Sequence, residues 1–250
     1  MRIPTSRATV CDVLRYDRYV PTFAHDRTCN VGRVGEARLL ANAPNTRISW
    51  PALWLKAYAL NAKRFARLRQ TWMSWPSPYL YEHPHHVGTI VIKRRFEDDD
   101  WLFWGQINQL ESKSLLGIQR DIDRFQNDSV EKVFRRQLWL ARKPAIIRRL
   151  CWWITFQVSG KKKCKRLGTF FLSTISGAGA EIQNPPSMLT SGFTYGPINE
   201  SGNTRVTVTY DHRLMDGHHV AEILAGLELT LNTTILQELE SCSANQRSAA

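Results

Sequence analysis

Acidic residues are missing from a long stretch of this 250-residue chain: Lys132 to Ala180 holds twelve Lys or Arg residues and no Asp or Glu. The whole chain has 34 basic and 22 acidic residues, so the remainder carries 22 of each sign and the net +12 belongs to that one segment. Lys and Arg at this density suit an acidic carrier domain or an anionic membrane surface, with Trp152 and Trp153 as candidate membrane contacts. A solvated face is the plain alternative. No nucleic-acid-binding motif accompanies the charge, and nucleic acid is not an expected partner. Long apolar runs are also missing: nothing approaches the roughly 18 residues of a spanning helix, and MRIPTSRATVCDVLRYDRY has no uninterrupted apolar core of a secretory signal. The cytoplasm is the expected location, with a peripheral membrane contact as the variant. The five cysteines, Cys11, Cys29, Cys151, Cys164 and Cys242, are odd in number and scattered, without a C-x-x-C pair. That pattern argues against a disulfide framework and a thiolate metal site. The cluster Glu82, His83, His85 and His86 has ligand-type side chains, but it adjoins Pro84 and a strand with no distant partner, so no metal is expected.

What remains is ordinary for a globular protein, with 43% hydrophobic and 22% charged residues. The most informative stretch is Val206 to Asn232. Val206, Val208 and Tyr210 alternate as in a strand, Asp211 to Gly217 form a polar turn, and Val220, Ile223, Leu224, Leu227 and Leu231 recur at helical spacing. His212 therefore sits where a buried strand passes into a helix, with Asp216 and Gly217 completing His-x-x-x-Asp-Gly. An imidazole exchanges protons near neutral pH, and strand ends are where open sheets present chemistry. His212 is the candidate general base; a histidine satisfying nearby backbone is the plain alternative.

Upstream, residues 1 to about 20 read as a weak surface helix, followed by an extended run from Phe23. Ser49 to Trp72 reads as one long helix, with Ser49 as cap, Pro51 in the first turn, a stripe of Leu53, Ala57, Leu60, Phe65 and Leu68, and Lys56 on the outer side. HHVGTIVIKRRF and WLFWGQI read as strands separated by an acidic turn, and SLLGIQRDIDRFQ as a helix opened by Ser114. Val130 to Lys143 reads as a helix, the next stretch as a short amphipathic or strand-like piece, and KKKCKR as a solvated run.

The string DHRLMDG resembles the active-site signature of the dihydrolipoamide acyltransferases, the catalytic cores of 2-oxoacid dehydrogenase complexes. Its shorter His-x-x-x-Asp-Gly form is shared with the chloramphenicol acetyltransferases. GTFFLSTISG, IQNPPSMLTSGF, KSLLGIQRDI and VPTF are similar to further family segments, whereas FEDDDWLFWGQI lacks the family's Gly- and Pro-containing apolar segment. The resemblance implies an α+β fold, a two-layer sandwich of a mixed β-sheet with helices packed on one face. It also implies His212 as general base and Ser173 as donor to the oxyanion. Asp216 would then be a structural ion-pair partner of Arg213 or Arg7, and Gly217 would allow close backbone approach. Coenzyme A or an acyl-CoA would be the co-substrate, its phosphates another use for the basic segment, with a lipoyl group supplied in trans as the alternative donor. A homotrimer with His and Ser contributed by different chains is the implied assembly. Residues 1–240 are expected to form a single catalytic domain without lipoyl or peripheral-subunit-binding modules, and 241–250 a flexible tail. A non-catalytic assembly or carrier-binding protein that keeps this fold is the rival reading.

Overall fold

The computed structural model describes residues 3–42 and 47–247, with side chains through 244. Its centre is a six-stranded mixed sheet in the order β1-β8-β7-β6-β4-β5. The strands are β1 (Thr22–Asn30), β4 (Val87–Phe96), β5 (Asp99–Asn108), β6 (Phe170–Leu172), β7 (Ser191–Tyr195) and β8 (Asn203–Asp211), while β2 (Gln70–Met73) and β3 (Tyr79–Glu82) form a separate hairpin. β6 runs parallel to both β4 and β7, and the other pairs are antiparallel.

Alternation along the strands sends Phe170, Leu172, Phe193, Val208 and Tyr210 into the main core. Against that face pack α3 (Trp50–Ala62), α4 (Leu115–Asn127) and α9 (Gly217–Thr230), joined by α2 (Gly32–Ala41) and α10 (Leu236–Arg247). α3 is the central helix and is buried almost all round. Tyr58 stacks on Phe193 with centroids 4.6 Å apart and donates to Ser191 Oγ at 2.9 Å, and Trp54 stacks on Tyr195. Asn61 Nδ2 donates to Ile223 O at 2.7 Å, and a Cβ at Gly226 would lie 2.3 Å from Asn61 Oδ1, so α9 can approach α3 this closely only with glycine there.

The helical layer on one face is as expected, and the opposite face has a partial cover of its own. α1 (Thr5–Asp17) and α7 (Ala145–Trp153) bring Val13, Tyr16 and Trp152 onto Phe171, Leu167 and Leu189 in a second, smaller core. At the sheet edge, Gln137 accepts from Trp104 N at 3.2 Å and donates to Leu102 O at 2.8 Å, so one amide from α6 (Arg135–Ala141) satisfies two groups on the open edge of β5.

Several sequence expectations change. The long helix ends at Ala62 rather than Trp72, because Gln70 to Met73 are claimed by pairing with β3. Lys56 is not on an outer face: it is buried and paired with Glu238 of α10. Residues 130–143 form two short helices, α5 (Val130–Val133) and α6, in place of one. KKKCKR is solvated on one side only: it is the body of α8 (Gly160–Leu167), with Lys161, Lys162 and Lys165 exposed and Lys163 and Cys164 buried. The stretch from 241 continues α10 to Arg247, with Cys242 packed on the core and Ser243 buried; 248–250 lie outside the described residues.

Candidate active site

His212 directly follows β8, and its backbone N–H donates to Pro21 O at 3.0 Å, just before β1. The ring sits edge-on to Phe23, centroids 4.7 Å apart, and remains open to solvent. Its Nδ1 is 3.7 Å from Asp216 Oδ1, too long for a hydrogen bond. Gly217 opens α9 beneath His25, whose Nε2 would lie 3.0 Å from an added Cβ.

The ion pair expected for Asp216 is not formed with Arg213 or Arg7. Asp216 is the N-cap of α9 and forms a capping box with His219, its own N–H directed at His219 Nδ1 at 3.4 Å. The partner of Arg213 is Asp211: Nε to Oδ1 at 2.8 Å and Nη2 to Oδ2 at 2.6 Å, a bidentate fork on a carboxylate that is almost fully buried. The two residues lie two apart where the strand ends, and Arg213 N also donates to Asp211 Oδ1 at 3.1 Å. The guanidinium then covers Trp72 at 5.3 Å. Sequence reasoning missed this pair, although Asp-x-Arg at a strand end places both side chains on one side.

A second group it missed is Lys163. Burial pushes its ammonium down to about 8, against the opposing pull of Asp211. His86, preceding β4 at this same end of the sheet, is likewise held neutral, its imidazole pushed down to about 4 by burial. His83 instead meets Tyr81 Oη at 3.2 Å, and among the described residues no three His, Cys, Asp or Glu side chains gather as metal ligands would. Burial raises the thiols of Cys29 and Cys164, to about 12 and about 11, so both are poor nucleophiles at neutral pH.

Ser173 lies elsewhere. It follows β6, its N–H donating to Phe193 O at 3.2 Å, and its side chain reaches the wall of a cavity of about 140 Å³. Val13, Val91, Leu102, Trp104, Phe171 and Leu189 are among the apolar lining. The neighbouring hydroxyl of Thr174 is occupied, donating to Tyr195 O at 2.9 Å and accepting from Ser176 N at 3.1 Å, whereas that of Ser173 has no partner among the described residues. A larger cavity of about 330 Å³ shares Trp104 and Leu167 as walls and adds Gln106, Trp139, Trp152 and Arg166.

Within one chain these two halves stay apart. Ser173 adjoins the level of Thr194 and Thr207, five residues before His212 on β8, and at about 3.3 Å per residue this is about 17 Å along the strand. An exposed imidazole thus lies at one end of the central strands and a free hydroxyl beside an apolar cavity at the other.

No family model matches the sequence, and no curated protein is similar to it. Solved structures are similar in fold. A probable dihydrolipoamide acetyltransferase from Listeria monocytogenes 4b F2365 superposes with a TM-score of 0.68 at 15% identity, over 93% of each chain. A truncated catalytic core of the 2-oxoacid dehydrogenase multienzyme complex from Thermoplasma acidophilum gives 0.69 at 14% identity, over 93% of this chain and 97% of that one. A chloramphenicol acetyltransferase gives 0.53 at 12% identity, over 88% and 94%. The chain therefore has the fold of the dihydrolipoamide acyltransferase catalytic cores and of chloramphenicol acetyltransferase.

Proposed function

We propose that this protein is an acyltransferase that moves an acyl group between a thioester and a thiol or hydroxyl acceptor, at a site completed by His212 of one chain and Ser173 of another in a homotrimer. The observation that carries the reading is the pair of half-sites: an accessible imidazole after β8 and an unpartnered hydroxyl on an apolar cavity, about 17 Å apart along the strands of one chain. The His212 imidazole takes the proton of the acceptor, whose anion attacks the thioester carbonyl carbon. Ser173 Oγ–H donates to the oxyanion of the tetrahedral intermediate. Collapse expels the thiolate, which recovers the proton from His212, and no acyl-enzyme forms. The acyl group occupies the cavity lined by Phe171, Leu102 and Trp104, where exclusion of water strengthens the Ser173 hydrogen bond. The thioester is that of coenzyme A, or of a lipoyl group carried by another chain; both are substrates rather than resident cofactors.

Asp216 and Arg213 act on this site through the backbone. Asp216 starts α9, and the Asp211–Arg213 fork holds the residues on either side of His212. The test is release of CoA thiol from acetyl-CoA and longer acyl-CoAs across candidate acceptors. Turnover that persists in His212→Ala would remove the reading. The shared site has its own test: co-expressed His212→Ala and Ser173→Ala chains form mixed trimers, each with one intact site in three, or about a quarter of all sites under random assembly. Activity recovered by mixing two crippled variants supports the intersubunit site, and no recovery in verified mixed trimers excludes it.

A further inference from the structure

We infer that the face carrying α7 docks on an anionic lipid surface. A helix on the outside of a globular protein ordinarily turns its apolar stripe inward. In α7, AIIRRLCWW, the opposite stripe is the apolar one. Ile146, Leu150 and Trp153, spaced four and three residues apart, face solvent with 79%, 54% and 39% of their surface exposed, and Ile147 is exposed beside them. The inward side holds the buried Trp152, stacked on Phe156, and Arg148, whose Nε reaches Asp12 Oδ2 at 2.6 Å in a largely buried ion pair. Of the two tryptophans proposed for membrane contact, Trp152 therefore belongs to the core and Trp153 to the surface.

The outward stripe is extended by residues from other elements. Trp75, 51% exposed, meets Trp153 edge-on with centroids 5.7 Å apart. Trp139 on α6 is 53% exposed, with Lys143 Nζ 4.8 Å from its ring centroid. Exposed cations flank α7 in the chain, Arg135 and Arg136 before it, Arg149 within it, and Lys161, Lys162 and Lys165 after it, and no acidic residue occurs from Lys132 to Ala180. Indole rings settle at the headgroup level, aliphatic side chains enter the acyl boundary, and each Lys or Arg near an anionic surface adds electrostatic attraction. An acidic protein would use the charges and leave Ile146 and Leu150 in water, whereas a bilayer uses both. Among the described residues no helix is long and apolar enough to cross a membrane, so the contact proposed is peripheral.

The experiment is vesicle sedimentation with phosphatidylcholine alone and with one quarter phosphatidylglycerol. Wild-type protein is expected to sediment with the phosphatidylglycerol vesicles and to be released as salt rises from about 0.1 M to about 0.5 M. Ile146→Glu with Leu150→Glu, both at exposed positions, is expected to weaken binding at least tenfold, with the melting temperature and the His212-dependent reaction in solution unchanged. Charge reversal at Lys161 and Lys162 should weaken binding to the anionic vesicles only. No binding to either vesicle, or binding indifferent to the α7 variant, overturns the inference. So does a change of oligomeric state by sedimentation velocity in that variant without vesicle binding, which would make this face a contact between copies. Each result leaves the acyltransferase reading standing.

Discussion

The two ends of the central strands are built from different materials. At the His212 end the protein gathers ionisable groups: Asp211 forked by Arg213, Lys163 beneath them, and His86 buried at the start of β4. The region around Ser173 is hydrocarbon, with Phe171, Leu102, Val91 and Trp104 around one free hydroxyl. A proton-transfer group needs charge and solvent nearby to exchange its proton, whereas a hydrogen bond to a developing oxyanion gains most where the dielectric is low. Along the strands of one chain these two regions lie about 17 Å apart, the separation that the proposed intersubunit site would bridge.

Substitutions at each end sharpen this contrast, beginning with the largest effect. His212→Ala is expected to abolish acyl transfer in the thiol-release assay while the melting temperature stays near wild type, since the side chain is 41% exposed. Ser173→Ala should lower turnover by about 100-fold to 1000-fold, the loss of one oxyanion donor. The contrast would break if that loss appeared in KM alone, because Ser173 would then hold the ground state rather than the intermediate.

Stability measurements separate the ends further. Arg213→Met leaves the buried Asp211 carboxylate without its bidentate partner and should cost about 3 kcal/mol in urea denaturation. Protonation acts at the same end. His86 has a folded pKa of about 4 against an ordinary 6.5, so the unfolded chain takes up the proton first. Stability is therefore complete above about pH 6.5 and falls towards pH 4, by up to about 3 kcal/mol. His86→Gln should flatten that acid limb, and an unchanged profile would show that other groups carry it. Lys163 works in the alkaline range: it binds its proton less tightly in the fold, so the cost of burying it is lifted as pH rises from about 8 to 10.5. The smallest effect belongs to the helix start. Asp216→Ala should cost about 1 kcal/mol as a lost cap, with Asn restoring it.

How legible the fold was depended on where each residue's partner lies. The strand, turn and helix from Val206 to Thr230 and the Ser114-capped α4 could be read directly, because their periodicities and caps are local. The end of α3 could not, since strand pairing with Tyr79–Glu82 overrides a helical pattern that continues to Trp72. Nor could the burial of Lys56 and Lys163, whose counter-charges Glu238 and Asp211 are remote in the chain. The orientation of α7 was hidden for the same reason: Ile146 and Trp152 are both apolar, and only packing against α1 assigns one to solvent and the other to the core.

By itself the sequence determined the candidate base, its place between strand and helix, and the location of all the excess positive charge, because these follow from residue identity and short-range periodicity. Tertiary structure alone decided that Arg213 pairs with Asp211 rather than Asp216. It also decided that Ser173 faces an apolar cavity and that the two candidate residues lie at opposite ends of the strands. Those facts depend on register and on contacts between distant segments, which local pattern does not encode.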